Sequence, residues 1–311
     1  MDFSRPDNAR KINRLKVLSA LRHEELSKAE ISRRLGINKV SIGEIIDIMV
    51  KEGLLEEAGK AAYSSGRPAM LLSIKANSGR VLSIDMRKKA VSVSVSDALG
   101  RILRFERFPR TESFREDLDR TIRKMRGNDD VRIYGTAIVN EDIDLSGIID
   151  APKVVLSRIE AESASEMARM ESADDTLFLS WSDDIEAVFY HEGFIPLPQF
   201  PHIRAQRDGE CSCGGKGCLC TAASGTALLR KSGMKGYREL VSNPAGLEAV
   251  RESLRPMAAA LSMAVQALSA SKVVITGELS ALPDSVFEHL QALVDSALPP
   301  SRHVPVERSK S

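Results

Sequence analysis

The sequence predicts an α/β protein in two parts: an N-terminal winged helix-turn-helix, then a larger two-lobed body of the actin-like, ribonuclease-H-like type. Three observations carry this. Within the first eighty residues, three short amphipathic helices, the last two separated by a glycine turn, lead into a hairpin. The next sixty residues run strand, strand, strand, helix, strand, which is how an actin-like lobe begins. Beyond them, buried strands alternate with helices up to a final amphipathic helix. A chain of 311 residues has room for two or three domains. The expected divisions are 1–78 for the winged helix, 79–150 for the first lobe and 151–311 for the second.

At the N-terminus, residues 9–22 place Ile12, Leu15, Val17, Leu18 and Leu21 on one helical stripe. Ser27-Lys28-Ala29-Glu30 has the spacing of a capping box and opens a second helix, with Ile31 and Leu35 inward. Gly36 stops that helix and permits a sharp turn. Asn38 caps a third helix, Lys39 to Lys51, with Val40, Ile45, Ile46, Ile48 and Met49 as its apolar positions, and Gly53 ends it. Leu54-Leu55 starts one strand and residues 69–74 form another. In this arrangement the third helix is the one that enters a major groove. Lys39, Ser41 and Glu44, near its start, are the side chains free to reach bases or phosphates. Arg67, between Gly66 and Pro68 at the wing, suits a narrow, electronegative minor groove. The helices alone would equally fit a protein–protein module. Charge favours double-stranded DNA: residues 1–80 carry 15 Lys and Arg against 10 acidic residues, the remainder 29 against 33.

The N-terminus lacks the apolar run of a secretory signal, and no apolar stretch approaches the ~20 residues needed to span a bilayer. The expectation is a cytoplasmic protein with no membrane partner, in a compartment where thiols stay reduced and clustered cysteines favour metal over disulfides. That matters for one segment. His202, Cys211, Cys213, Cys218 and Cys220 crowd into 19 residues around Gly214, Gly215 and Gly217, and include all four cysteines of the chain. A tetrahedral zinc site needs four N/S donors, and this segment offers five. A metal-free loop is the alternative.

In the body, residues 81–85, 91–97 and 102–105 read as strands, 114–126 as a polar helix and 131–139 as a buried strand. A helix through the 160s, a strand pair at 176–181 and 185–190, helices around 220–231 and 245–270, a buried strand at 272–277 and a last helix at 285–296 complete the pattern.

Several of these motifs together resemble the ROK family of repressors and sugar kinases, specifically its regulator branch. They are Gly66-Arg67-Pro68-Ala69 with Leu71-Leu72, Asp85, Asp97-Ala98-Leu99-Gly100, Ala223-Ser224-Gly225 and, most specific, His202-Ile203 with Cys211-x-Cys213-Gly214-x-x-Gly217-Cys218. The resemblance implies a structural zinc held by His202, Cys211, Cys213 and Cys218. Cys220 stands where family members usually carry Glu.

Departures from the family pattern bear on activity. The family's first phosphate turn, Asp-x-Gly-Gly-Thr, is here Asp85-Met86-Arg87-Lys88-Lys89-Ala90, and its glycine-rich second loop is Ser180-Trp181-Ser182-Asp183-Asp184. Bulky and anionic side chains replace glycines whose amides must approach phosphate closely. The Pro-Gly sugar-side loop is replaced by Asn140-Glu141-Asp142, the adenosine-side strand end reads Thr276-Gly277-Glu278, and the helix that closes the nucleotide lobe is not found before Ser311. The Asn-Asp pair bearing the general base is matched to Ala161-Glu162, which leaves Glu162 as a degenerate base position and no catalytic residue. Of the sugar-contacting positions, Glu162, Gln199 and His202 are the candidates to touch a sugar or sugar-phosphate effector. Asp150-Ala151-Pro152 is expected to run almost directly into the Glu162 helix, so the body looks shortened. The expected function is a DNA-binding transcriptional repressor, a homodimer or dimer of dimers on a pseudo-palindromic operator, without kinase activity. The alternative is an ATP-dependent kinase of a hexose or amino sugar.

Overall fold

The computed structural model describes residues 6–22, 24–60, 68–87, 89–126, 132–170 and 172–309. The chain divides into two compact units, Met1–Leu156 and Ser157–Ser311.

The first unit opens with α1 (Pro6–Leu21), β1 (Leu26–Ser27), α2 (Lys28–Leu35), α3 (Lys39–Lys51), β2 (Leu55–Lys60) and β3 (Met70–Ile74). The Ser27 side chain accepts from the Glu30 amide and the Glu30 carboxylate accepts from the Ser27 amide, so the box that opens α2 is complete. Gly36 ends α2 in the left-handed region, and the Asn38 side chain caps α3 by accepting from the Ser41 amide at 2.8 Å. Only residues 36–38 separate α2 from α3, and the antiparallel sheet β1-β3-β2 closes the motif. This is a winged helix-turn-helix. Arg67 lies outside the described residues, as do its neighbours 61–66.

The buried side of this motif is Val17, Leu21, Ile31, Ile42, Ile46, Met49 and Leu55. Three apolar residues placed inward by the sequence pattern face out instead: Leu15 is 66% exposed, Val40 72% and Ile48 46%. Helix geometry accounts for this. Leu15 lies about 200° around α1 from Val17, and Val40 and Ile48 each lie about 200° from a buried neighbour, Ile42 or Ile46, at ~100° per residue.

The unit continues with β4 (Arg80–Met86), β5 (Ala90–Asp97), β6 (Ile102–Pro109), α4 (Phe114–Arg126), β7 (Ile133–Val139) and β8 (Lys153–Leu156). Their sheet runs β6-β5-β4-β7-β8, with β4, β7 and β8 parallel and β5 antiparallel to its neighbours. Leu118, Ile122 and Met125 of α4 pack on Leu82, Ile84, Val91, Val93, Val95 and Ile138. The β7–β8 crossover joins that core through Ile143 and Leu145. Residues 150–152 therefore lead into β8, which pairs with β7, before the Glu162 helix begins. Four apolar-centred residues, Lys153-Val154-Val155-Leu156, form a strand too short to stand out in sequence. At the β5–β6 turn, Ala98 and Leu99 pack against the winged-helix core, and the Ala98 amide donates to Ala76.

The second unit contains α5 (Arg158–Met167), β9 (Thr176–Trp181), β10 (Ile185–Tyr190), β11 (Phe194–Pro196), α6 (Leu219–Ala223), α7 (Gly225–Ser232), α8 (Tyr237–Ser242), α9 (Pro244–Leu268), β12 (Lys272–Thr276), α10 (Asp284–Ala297) and β13 (Val306–Arg308). The sheet order is β11-β10-β9-β12-β13, with β12 parallel to both β9 and β13. Every residue of β9 is buried, as expected for a central strand covered on both faces. One face packs under α9 and α10 through Leu254, Met257, Leu261, Val286 and Leu290. The other packs under α5, where Ile159 meets Phe178, Val188 and Val274. The single helix expected near 220–231 is two, because Ser224 leaves helical geometry and caps α7 with its own side chain. The short β11, α8 and β13 carry too little periodicity to be seen in sequence. Among the described residues no helix is long and apolar enough to cross a membrane.

Candidate functional site

The four donors expected to hold a metal converge. One ligand atom from each of His202, Cys211, Cys213 and Cys218 lies within 4.8 Å of all the others. His202 ends a short 3-10 turn after β11, anchored by buried Phe200, and Cys218 is the N-cap of α6. Between them the backbone folds on itself: Cys211 donates to Gly215, Gly217 to Gly209, and Leu219 to Ile203. Gly217 sits at φ +75°, and a Cβ there would lie 2.0 Å from the Gln206 carbonyl oxygen, so no other residue fits. The Cys213 and Cys218 sulfurs are 3.7 Å apart, and the Cys211 sulfur is 3.4 Å from His202 Nδ1. A tetrahedral zinc with Zn–S bonds of ~2.3 Å sets its sulfurs about 3.8 Å apart, so the donor set fits that ion in both chemistry and spacing.

Cys220 is a neighbour of this group rather than a member. Its sulfur lies 3.5 Å from that of Cys211. Hydrogen bonding from the Cys213 amide, with help from Cys220 and His202, brings the Cys211 thiol down to about 6. Burial and repulsion from neighbouring thiolates push Cys218 up to about 11 and Cys220 up to about 12. One thiolate forms readily and opposes the next, the pattern that a bound cation reverses.

The second phosphate loop of the family resemblance, residues 180–184, joins β9 to β10 and is filled by the protein's own side chains. Arg158, at the start of α5, donates to Glu162 (2.8 Å), to both Glu278 oxygens (2.9 and 3.0 Å) and to Ser182 Oγ (3.2 Å). The Glu278 amide donates weakly to the same hydroxyl. Asp183 accepts from the Tyr237 hydroxyl at 2.5 Å, and its carbonyl accepts from Thr226. Gly277, at φ +85°, lets the β12 end approach so closely that a Cβ would lie 2.4 Å from Ser182 Oγ and 2.8 Å from the Trp181 carbonyl. The Trp181 ring is fully buried and donates to Ala223, the last residue of α6, at 2.6 Å. Burial opposes ionisation of Glu278, but the Ser182 hydroxyl, its own amide and Arg158 hold the carboxyl below the usual range. Burial and the Asp183 carboxylate push the Tyr237 phenol up.

Glu162 is engaged inside this network. One oxygen accepts from Arg158, the other from Thr276 Oγ1 at 2.7 Å. Gln199 is exposed, its carbonyl accepts from the His202 amide at 3.0 Å, and among the described residues no side-chain hydrogen bond or ion pair joins Glu162 to either of them. The structure thus brings His202 together with the cysteines, keeps Gln199 at the start of the same turn, and pairs Glu162 with Arg158 and Thr276 instead. Arg158, which the sequence reading overlooks, organises the loop. Its signal was the i,i+4 pairing with Glu162 beside a second capping box, Ser157 to Glu160.

In the first unit the turn after β4 is likewise occupied. Asp85 accepts from Arg87 Nε at 2.7 Å and from Asn140 Nδ2 at 3.0 Å. On the winged helix, Lys39 and Glu44 are exposed at the outer side of α3 and Ser41 is half-buried. Val40, which sequence periodicity assigned to the core, is exposed beside them.

Residues 192–310 match the ROK family model. The chain carries a ROK-family domain. Similar curated proteins are the xylose repressor of Caldicellulosiruptor bescii, 28% identical over 100 residues (32% of this chain, 25% of that protein), and the xylose repressor of Bacillus spizizenii, 27% identical over 104 residues (33% and 27%). The chain thus spans about a quarter of the length of these relatives. Among solved structures, a ROK family transcriptional regulator described as a homologue of the E. coli MLC protein has a TM-score of 0.80 at 14% identity, covering 97% of this chain and 92% of that one. The ROK hexokinase of Thermus thermophilus has a TM-score of 0.60 at 19% identity, covering 74% and 92%. At these identities both neighbours speak for the fold alone, the regulator over 97% of the chain and the hexokinase over 74% of it.

Proposed function

We propose that this chain is a sugar-responsive transcriptional repressor: residues 1–78 bind a double-stranded DNA operator in the cytoplasm, and the ROK domain mediates dimerisation and effector sensing without phosphorylating the effector. The observation that carries the reading is a winged helix-turn-helix, with an exposed recognition-helix N-terminus, on the same chain as a ROK domain whose phosphate loops are filled. Lys39, Ser41 and Glu44 are the base and phosphate contacts on α3, Val40 joins them, and Arg67 serves the wing. A Glu at the major groove accepts from cytosine N4, Ser serves either partner, and Lys contributes charge. The relatives' names support a sugar-type effector, and xylose is the first to try.

Phosphoryl transfer needs open backbone amides and metal-bridged oxygens. Around residues 180–184 the Glu278 carboxylate, Asp183 and the Arg158 guanidinium occupy that space, and anion binding there would have to break the four hydrogen bonds that Arg158 makes to three partners. His202, Cys211, Cys213 and Cys218 hold one structural zinc, which fixes the knuckle to α6; the metal's role is to hold the fold.

A gel-shift with DNA from upstream of the protein's own gene tests the reading. A retarded band at low salt is expected, weakened by Lys39→Ala and by Arg67→Ala and released by the effector. Absence of any shift on promoter DNA at low salt overturns it. In a coupled assay with ATP, magnesium and a panel of hexoses and amino sugars, turnover above background would restore the kinase reading.

A further inference from the structure

β6 (Ile102–Pro109) is an edge strand without the protection that edges usually have. A row of outward N–H and C=O groups is a template for another chain, and native sheets blunt it with short strands, covering segments or charge. The other edges of the two five-stranded sheets are short: β8 has four residues, β11 and β13 three each. β6 has eight, and among the described residues no strand pairs with its outer side. It is also apolar where it meets solvent. Ile102 is 66% exposed, Leu103 47% and Phe105 62%.

Register fixes which way these residues point. Val93 and Val95 of β5 lie under α4 and stand opposite Glu106 and Arg104, so the two charged residues share the α4 face. Ser94 stands opposite Phe105, and Ser96 opposite Ile102 beyond a bulge, so Phe105 and Ile102 share the other face. Arg104 donates to the Met125 carbonyl near the end of α4 at 2.6 Å, and Glu106 accepts from Lys124 at 3.0 Å. Those contacts hold an opposite-charge pair on one side of the strand, flanking Phe105. The backbone follows the same alternation. The Arg110 amide donates to the Lys89 carbonyl at 3.1 Å. Inward-bonding and outward-pointing residues alternate in an antiparallel ladder, so Phe108, Glu106 and Arg104 bond to β5. Phe105 and Arg107 direct their N–H and C=O groups outward.

We infer that β6 pairs antiparallel with β6 of a second copy of this chain, about a two-fold axis at Phe105, joining two five-stranded sheets into one ten-stranded sheet. Charge complementarity selects both the occupant and the register. With Phe105 opposite itself, Arg104 faces Glu106 of the second copy, and Glu106 faces its Arg104. Both pairs fall at non-hydrogen-bonded positions, where side chains lie closest. The outward N–H and C=O groups of Phe105 meet their own counterparts as a hydrogen-bonded pair. Moving the axis one residue either way sets Arg104 against Arg104 or Glu106 against Glu106, and like charges directly opposite are destabilising. On the other face the two Phe105 rings cover each other. The contact is isologous, one patch serving both partners. It rests on the dimer part of the reading above and names the surface; it needs neither DNA nor effector.

The test is sedimentation equilibrium of the full chain without DNA, for the parent, Arg104→Glu, Glu106→Arg and an equimolar mixture of the two variants. The parent should be a dimer or a dimer of dimers. Each variant alone sets like charges opposite one another at both pairs, and its association at this surface should weaken about tenfold or more. In the mixture every like pair becomes an opposite pair, so heterodimers should form about as tightly as the parent dimer. That recovery separates a pairing effect from a folding defect, because a misfolded variant would not be rescued by another. A monomeric parent, variants that each assemble as tightly as the parent, or a mixture that stays dissociated overturns the proposal. Variants that still dimerise remove this surface alone and leave the dimeric repressor standing, whereas that reading fails on its own terms in the gel-shift.

Discussion

The His/Cys knuckle and the β9–β10 loop belong to the same unit, and the resemblance gives each an ancestral ligand. Side chains in the knuckle converge on one point: a donor atom from each of four residues lies within 4.8 Å of the others, a spacing suited to one ion. In the loop the side chains fill the point themselves, with Arg158 at the centre and Ser182, Glu162 and Glu278 around it. The difference teaches how to separate a cluster that still offers donors to a ligand from one whose donors are engaged. In the knuckle the donors lie within hydrogen-bond reach of one another and still oppose each other's ionisation, as the opposed shifts of Cys211 and Cys218 record. In the loop the polar side chains pair with one another, which leaves fewer of them for a ligand to satisfy.

Removing the knuckle's metal should have the largest effect. Purified protein should contain about one zinc per chain. Chelation or Cys213→Ser should cost on the order of 4 kcal/mol, read as a fall of roughly 10 °C in melting temperature. If the metal-free protein melts at the same temperature, the knuckle is a bare loop and the contrast disappears. Next is Arg158→Ala, which strands Glu162 and Glu278. The group is partly solvated, so the cost should be about 1–3 kcal/mol, with no gain of ATP binding in titration. Acquisition of nucleotide affinity by this variant would mean that the loop is merely gated.

Acid sharpens the same point. The Glu278 carboxyl is depressed in the folded state, so its contribution is present above its unfolded value of about 4.5 and is lost as pH falls through the lower folded value. Denaturant melts between pH 6 and pH 3 should show that loss in the parent and a shallower one in Glu278→Gln. The smallest effect is expected for Tyr237→Phe, which removes the hydroxyl donated to Asp183. A cost of about 0.5–1.5 kcal/mol is expected from equilibrium unfolding.

The contrast also marks what sequence can carry. The knuckle's five candidate donors lie within 19 residues, and its glycines are adjacent, so both chemistry and geometry are local. The winged helix is legible for a similar reason: Ser27–Glu30, Gly36 and Asn38 act over three or four residues. Arg158 meets Ser182 across 24 residues and Glu278 across 120, and no periodicity links such positions. The Ser157–Glu160 box has the same pattern as Ser27–Glu30 and could have placed the start of α5. Without it Glu162 reads as a degenerate base position rather than the partner of Arg158 and Thr276. Val40 fails for another reason: apolarity alone does not fix the face, and two residues at ~100° each put it opposite buried Ile42.

Trp181 is the only tryptophan in the chain, and its ring hydrogen-bonds across from the β9 end to the last residue of the helix that Cys218 begins. The protein therefore contains its own optical reporter. Emission from this single buried indole should redden when α6 loosens on metal loss and stay unchanged on addition of ATP and magnesium, so one unlabelled fluorescence trace reads both regions in the same sample.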